Sequence, residues 1–572
     1  MYLKKSFNKK TGRTYLTIVH GYRDQFGKSK SKTIRSIGYL DELEKEYPDP
    51  IEYFTKIAKE MDQDRVDNEY LTLQIRSNEK IQKDTGNRKN YGHIIFSRIY
   101  HELELNRFFN NKRRHENFKY NTDSIMRLLV FCRLLYPASK KKTLELKDRF
   151  FDNFNFTLDD VYNSLSHFDK ISKDLLRHIH EKIMEQYNRE TSLVYYDVTN
   201  YYFEIDKEDN LRKKGYSKEG RRSPIVQMGL ALDRAGIPMT YKLFKGNTHD
   251  SETYLPAMSD IKKEYGVDRI VVVADKGLNS GDNIAFNTIL GDGYIFSKSI
   301  RGADDEFKAY VLDEKGYIEG NDYKKKSRVI PTEINVTVKQ VGKKKFKKKI
   351  RIDQKQVVFY SEKYAKRSKR KRDELLAKAA DLIANPTKYN KSTSYGAAGY
   401  VKNLVFDKET GEIKGTSQLR FLDTEKIQEE EKYDGYYAIV TSELDETDSN
   451  IINAYRGLWK IEESFKITKS TLGARPVYLS RDDHINAHFL ICFLALTIAR
   501  LTEIRLENKY PFSRIVETLR SVSCSHIDQN HFVFDYADEI TDDINKVFGV
   551  NFGMKFMTLG EIKKNLGMAK KV

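Results

Sequence analysis

A chain of 572 residues with 39% hydrophobic content is long enough for several cores and too apolar for general disorder. Lys and Arg number 101 against 83 Asp and Glu, a formal charge of +18 and a pI near 9.2, which points to a polyanionic partner, nucleic acid or an anionic surface. Three dispersed cysteines, Cys132, Cys492 and Cys524, argue against a cysteine-built zinc module and fit a reducing compartment.

The first ten residues lack the apolar core of a signal peptide. The longest apolar run, Phe489 to Ala499, has eleven residues, too few to span a bilayer, and reads as a buried helix. A cytoplasmic, nucleoid-associated protein with no membrane partner is expected.

Residues 1–75 read as a small β-rich region with a connector. T-Y-L-T-I-V-H-G-Y and K-T-I-R-S-I-G-Y-L alternate like strands, with turn signals at Lys10-Thr11-Gly12 and Gln25-Phe26-Gly27. The basic loop Lys28 to Lys32 reads either as a phosphate contact or as a solvated loop. Residues 76–190 show helical periodicity, in H-I-I-F-S-R-I-Y-H-E-L and S-I-M-R-L-L-V-F-C-R-L-L-Y for example. A DNA-binding helical domain is expected there, with a structural bundle as the alternative.

The period then changes. L-V-Y-Y-D-V (193–198), I-V-Q-M-G-L-A-L (225–232) and P-M-T-Y-K-L-F (238–244) read as strands, the last two joined by a turn at Asp233 to Ile237. A helix over 251–265, the strand R-I-V-V-V-A-D (269–275), a short helix and the strand Y-I-F-S-K (294–298) follow. Three antiparallel strands and then α-β-α-β is the order of a ribonuclease-H-like α/β catalytic core, whose first segment spans 191–300. Residues 301–435 read as a β-rich, basic insertion domain, including the Lys343 to Lys349 run. The core resumes over 436–508, beginning with the strand Y-Y-A-I-V-T, and 509–572 forms a C-terminal region with a possible role in dimerisation.

Two acids, Asp197 and Asp275, end β-rich runs, where an open sheet presents functional groups. A third comes from Tyr455 to Lys469, read as one helix with Leu458, Ile461, Phe465 and Leu472 as its core stripe. At ~100° per residue, Tyr455, Glu462 and Lys469 share a row beside that stripe, with Lys466 close by. Glu463 points ~100° away. Three hard oxygen ligands suit Mg²⁺ or Mn²⁺, and two such ions ~3.5–4 Å apart can drive in-line attack at a phosphodiester. His484 and His488, at i and i+4, lack the surrounding pattern of a zinc pair and read as packing residues.

Y-Y-D-V-T, V-V-A-D-K-G and Y-x6-E-x6-K followed by A-R-P-V-Y together resemble the DDE transposases of bacterial insertion sequences, in particular the group-four branch with its Y-R-E-K signature. The resemblance covers roughly 190 to 505. It implies Asp197, Asp275 and Glu462 as catalytic, metal-binding acids for two Mg²⁺ or Mn²⁺ ions, with Thr199 and Gly277 as supporting positions. It implies Tyr455, Arg456, Lys466 and Lys469 as DNA contacts, double-stranded DNA (terminal inverted repeats and target DNA) as partner, and a homodimer in a synaptic complex. Leu458 stands where the signature has Arg, with Arg456 and Lys460 nearby. The alternatives are a DNA-binding protein that keeps the fold without the chemistry, and a ribonuclease-H-like nuclease without strand transfer.

Overall fold

The computed structural model describes residues 1–23, 28–67, 80, 86–114, 116–215, 223–320, 322–338, 345–390, 393–406, 412–414, 419–528 and 530–571. The expected turn at Gln25 to Gly27 and the first residues of the Lys343 to Lys349 run lie outside them. The chain divides into two compact units. One holds residues 1–113, 117–158 and 502–572; the other holds 114–116 and 159–501.

In the first unit, Tyr2–Asn8 (β1), Arg13–Arg23 (β2) and Ser29–Tyr39 (β3) form an antiparallel sheet in that order. Ser29 to Lys32, expected as loop, pair with Arg23 to His20 as the start of β3: the strand partner overrides the weak β preference of Ser and Lys. The helix Pro50–Asp67 packs against β1. A short strand, Arg88–Asn90 (β4), leads into the helices Ile94–Glu102, Leu105–Arg113 and Thr122–Leu135.

These helices do not stand alone. Asp152, buried, accepts from Arg127 Nη1 at 2.7 Å and from Lys570 Nζ at 2.8 Å, so the last residues of the chain complete the charge balance of the helical segment. The helices expected as one segment over 76–190 therefore divide between the units, those from Asp159 onward belonging to the second.

The second unit is built on one sheet. Its strands are Leu193–Tyr202 (β5), Ile225–Asp233 (β6), Pro238–Lys245 (β7), Val271–Ala274 (β8), Gly293–Lys298 (β9), Ile318–Glu319 (β10), Lys324–Val338 (β11) and Phe346–Tyr360 (β12). A separate pair, Val401–Lys402 (β13) and Phe421–Leu422 (β14), precedes Tyr436–Thr441 (β15). The order across the sheet is β10-β11-β12-β15-β9-β8-β5-β6-β7. β5, β6 and β7 are antiparallel, and β8 and β9 run parallel to β5. The architecture is mixed α/β.

Among the described residues of 301–435, only the short pair β13–β14 stands apart from the central sheet. The long hairpin β11–β12 extends the central sheet through β15, which pairs antiparallel with both β12 and β9. Remaining strands close the first unit, where Ser523–Asp528 (β16), His531–Phe534 (β17) and Phe556–Thr558 (β18) pair in the order β18-β17-β16-β4.

Period-two alternation gives β5 two different faces. Val194, Tyr196 and Val198 join the core beneath the helices Asp250–Tyr265 and Gly281–Leu290, with Tyr254, Met258, Ile261 and Ile284. Tyr195, Asp197, Thr199 and Tyr201 therefore point the other way. The β6–β7 turn is held by a buried ion pair. Arg189 Nε donates to Asp233 Oδ2 at 2.8 Å and Nη2 to the Pro238 carbonyl at 2.6 Å, both charged side chains being fully buried. Arg189 Nη1 lies 3.1 Å from His180 Nδ1, and the His180 ring stacks on Tyr265 at 4.2 Å. Gly236 supplies the positive φ, 91°, that closes this turn.

The helix Asp482–Arg505 is long and apolar enough to cross a membrane, yet 94% of its most apolar window is buried within the protein, as expected for a core helix.

Candidate active site

The face of β5 that carries Asp197 lies beneath the Tyr455 to Lys469 segment. That segment is two helices rather than one, Asp448–Arg456 and Trp459–Lys466, followed by a π turn over Ile467–Thr471. The break has a packing cause. A Cβ built on Gly457 would lie 1.9 Å from the Tyr195 hydroxyl, so only glycine lets the backbone come this close to the sheet. Local i→i+3 bonds tighten the junction: Leu458 N to Tyr455 O at 3.0 Å, Lys460 N to Gly457 O and Ile461 N to Leu458 O at 3.1 Å each. Leu458, Ile461, Phe465 and Leu472 are all buried, the stripe that the spacing predicts.

Contacts along the strand fix the register of this segment over β5. Lys460 Nζ stands over the Tyr195 ring at 5.5 Å. Lys469 Nζ donates to Thr199 Oγ1 at 2.5 Å, and Thr468 Oγ1 meets the Tyr201 hydroxyl at 2.8 Å. Asp197 lies between these stations, level with the middle of the acid-bearing helix. In the parallel pairing of β5 with β8, Tyr195 stands opposite Val273. The pairing ends there; Asp197 continues β5 two residues on, and Asp275 follows directly after β8 and leads into the short helix Lys276–Leu278.

Asp275 is exposed at the end of β8 and accepts from Ser297 Oγ at 2.7 Å. Glu462 is exposed and Asp197 half-buried. The Tyr455 phenol links the two elements: burial first, then the Asp275 charge and, more weakly, Glu462 push its pKa up. Glu463 is committed elsewhere, since Arg500 Nη1 donates to its Oε2 at 3.0 Å. The Glu462 charge is thus felt at Tyr455 across the helix break, while Lys469, on the π turn, holds Thr199. Lys466 is exposed on the same helix.

In type the donor set suits a hard divalent cation, being all carboxylate and open to solvent. Among the described residues no three His, Cys, Asp or Glu side chains form a ready cluster for one metal ion, so the three acids do not close on a common point in this structure. His484 and His488 hold separate partners, Ser166 Oγ at 3.2 Å and the Ala474 carbonyl at 3.0 Å.

Arg456 and Lys460, the neighbours of Leu458, turn away from the row. Arg456 lies over the Tyr323 ring at 4.5 Å, and Lys460 Nζ donates to the Arg234 carbonyl at 2.6 Å. Arg456 also lines an open cleft of about 890 Å³ with Tyr323, Lys324, Tyr360, Tyr364 and Trp459. Trp459 is the sole tryptophan of the chain and is 56% exposed. Sequence reasoning passes over it because it sits outside the row; its signal is an exposed aromatic three residues before Glu462. Asp250 is a further carboxylate that the motifs do not mark, with its Oδ2 3.9 Å from a Cβ built on Gly277.

Two family models match the chain: "IS1634 family transposase, N-terminal domain" over residues 3–73 and "Transposase DDE domain" over residues 291–498. Both support an insertion-sequence DDE transposase. The second match includes Glu462 and begins after Asp275. No curated protein matches the chain. Among solved structures, it is similar to a piggyBac transposase synaptic complex with hairpin DNA, at 7% identity and a TM-score of 0.35, covering 84% of each chain. It is also similar to a Mos1 transposase paired-end complex with the left transposon end, at 9% identity and a TM-score of 0.14, covering 42% of this chain and 66% of that one. Both scores are too low to imply a shared fold.

Proposed function

We propose that this insertion-sequence DDE transposase binds the ends of its element, cleaves DNA phosphodiesters at Asp197, Asp275 and Glu462, and joins the 3′ ends to target DNA. The observation that supports the reading is the parallel pairing of β5 with β8 up to Tyr195 and Val273, two residues before Asp197 and Asp275, with the Tyr455 phenol next to Ser297, the partner of Asp275, and Glu462 on the following helix. The strand order β7-β6-β5-β8-β9, three antiparallel strands and then two parallel ones, supports a ribonuclease-H-like core with β15 and the long hairpin added beyond it.

Two bound Mg²⁺ or Mn²⁺ ions would supply an activated nucleophile and stabilise the leaving oxygen, with Asp197, Asp275 and Glu462 as their ligands. The chain's own residues do the rest. Ser297 orients the Asp275 carboxylate through its hydroxyl. Lys469, anchored on Thr199, holds positive charge beside Asp197, where a phosphate would sit. Tyr455 buttresses the acids from the far side, its proton retained at neutral pH by burial and by their charge. Lys466 faces solvent for the DNA backbone. The cleft of Arg456 and Trp459 offers a guanidinium and aromatic faces, chemistry that suits nucleotides near the cut. Two copies of the chain pairing two element ends belong to the same reading.

The test is a metal-dependent cleavage assay on duplexes carrying the element ends, with Asp197→Asn and Glu462→Gln variants. Both are expected to retain end binding and to lose nicking in Mg²⁺ or Mn²⁺. Cleavage at the wild-type rate by either would remove that acid from the site. Cleavage without end preference or joining would favour a nuclease of the same fold.

A further inference from the structure

The helix that carries Glu462 is short and interrupted at both ends. Trp459–Lys466 has eight residues, follows the tight turns after Gly457 and gives way to the π turn Ile467–Thr471. Helices shorter than ~12–15 residues are marginal alone, so packing must hold this one. Its apolar contacts, through buried Ile461 and Phe465, are non-directional and set its rotation only loosely. Rotation matters here, because the neighbouring acids Glu462 and Glu463 point ~100° apart.

One side chain supplies the missing direction. Arg500, near the end of the core helix Asp482–Arg505 and 8% exposed, donates to this helix from each of its three guanidinium nitrogens. Nε reaches Ser464 Oγ at 3.2 Å, and Nη2 reaches Ser464 Oγ and the Lys460 carbonyl at 3.0 Å each. Nη1 takes Glu463 Oε2 at 3.0 Å. Ser464, fully buried, gives its own proton to the Lys460 carbonyl at 2.8 Å. Its hydroxyl thus has both lone pairs and its one proton in use. Residues 460, 463 and 464 stand at i, i+3 and i+4, on one face of a single turn. A planar fork bound to all three resists any roll of the helix, since a roll breaks several bonds at once and strands a buried charge.

We propose that Arg500 is the positioning residue of the acid-bearing helix: by gripping Lys460, Glu463 and Ser464 together, it fixes the rotation at which Glu462, and not Glu463, is offered to the divalent ions. Glu463 is the competitor next door. Its ion pair with Arg500 withdraws it and leaves Glu462 exposed. This deepens the proposed reaction and rests on it, since it names what aims one of that site's acids. Groups that aim a metal ligand typically matter ~10–100-fold in affinity or rate.

Full-length Arg500→Lys and Ser464→Ala proteins are compared with wild type. Trp459, the sole tryptophan, stands on the same helix and is 56% exposed, so acrylamide quenching of its fluorescence reads the helix orientation without metal or DNA. Mn²⁺ affinity is measured by electron paramagnetic resonance, end binding by anisotropy without divalent ions, and end cleavage in Mg²⁺. Arg500→Lys keeps the charge and loses the fork; it is expected to change Trp459 quenching and to weaken Mn²⁺ binding and cleavage ~10–100-fold, with end binding within ~2-fold of wild type. Ser464→Ala should show the same pattern to a smaller extent, and decides the matter if Arg500→Lys does not fold. Wild-type quenching and Mn²⁺ affinity in Arg500→Lys would overturn the inference. So would losses that only follow the melting temperature and vanish well below it, or a Glu463→Gln protein as inactive as Glu462→Gln. A Glu462→Gln protein that cuts normally sinks the proposed site and this inference with it. An inactive Glu462→Gln beside a normal Arg500→Lys sinks this inference alone.

Discussion

Gly457→Ala offers a test in which two physical effects predict opposite signs. Gly457 has φ −60° and ψ −10°, a conformation that alanine adopts without strain, so helix propensity alone favours the variant by up to ~1 kcal/mol. The added methyl, however, would sit 1.9 Å from the Tyr195 hydroxyl oxygen and 2.6 Å from the ring carbon that bears it, where ordinary contact begins at 3.4 Å. About 1.5 Å must be found. Tyr195 is buried in the sheet and carries Lys460 on its ring, so the helix junction is expected to yield. Overpacking of this kind costs about 1–3 kcal/mol, and lifting the start of the acid-bearing helix by ~1 Å would lower cleavage about 10²-fold. Adding Tyr195→Phe removes the nearest atom and leaves the ring carbon, so the double variant should recover part of both losses. Thermal melting and Mg²⁺-dependent cleavage of end duplexes measure the two effects. A single variant that melts higher than wild type and cleaves within ~2-fold of it would refute the claim that this close approach positions Glu462.

Other outcomes follow from the same contacts. Lys469→Ala removes the ammonium anchored on Thr199; end cleavage should fall at least ~10-fold, with little change in melting temperature, as expected for a partly exposed side chain. Arg189→Ala leaves Asp233 uncompensated in the core, at a cost of about 3–5 kcal/mol in denaturant titration, whereas double replacement by apolar residues should recover much of it. The His180 imidazole is pushed down from 6.5 to about 4, by burial and then by the Arg189 charge. The unfolded chain therefore binds this proton first, and stability is lost as pH falls from ~6.5 to ~4, by about 3 kcal/mol. His180→Gln should flatten that limb of a melting-temperature profile.

Much of the candidate site was legible because its signals are local. Alternation in L-V-Y-Y-D-V separates the Tyr196 side of β5 from the Asp197 side, and the 3.6 period predicts which of Glu462 and Glu463 shares a row with Tyr455. The break at Gly457 was not legible, since its cause is the phenol of Tyr195, remote in sequence. The fate of residues 301–435 was hidden for a similar reason. β11 alternates between half-buried and exposed residues, as a strand of an independent sheet would, and only its path to β15 shows which sheet it extends. Lys28 to Lys32 lack the β-branched and aromatic residues that announce a strand, and Ser29 to Lys32 are drawn into one by their pairing with β2. The orientations of Arg456 and Lys460 depend on the Tyr323 ring and on the Arg234 carbonyl, neither of which any local pattern identifies.

The place of β15 between β9 and β12 bears on how the molecule is made. During synthesis β9 emerges with one side paired to β8 and its outer edge bare, and residues 299–435 must follow before its neighbour exists. Such an edge is a template for pairing with other chains, and so late a closure is slow and exposed to aggregation. A product ending before Tyr436 would lack β15 altogether and offer the rim of β9 to any passing strand. Premature termination would thus yield insoluble fragments rather than smaller working proteins.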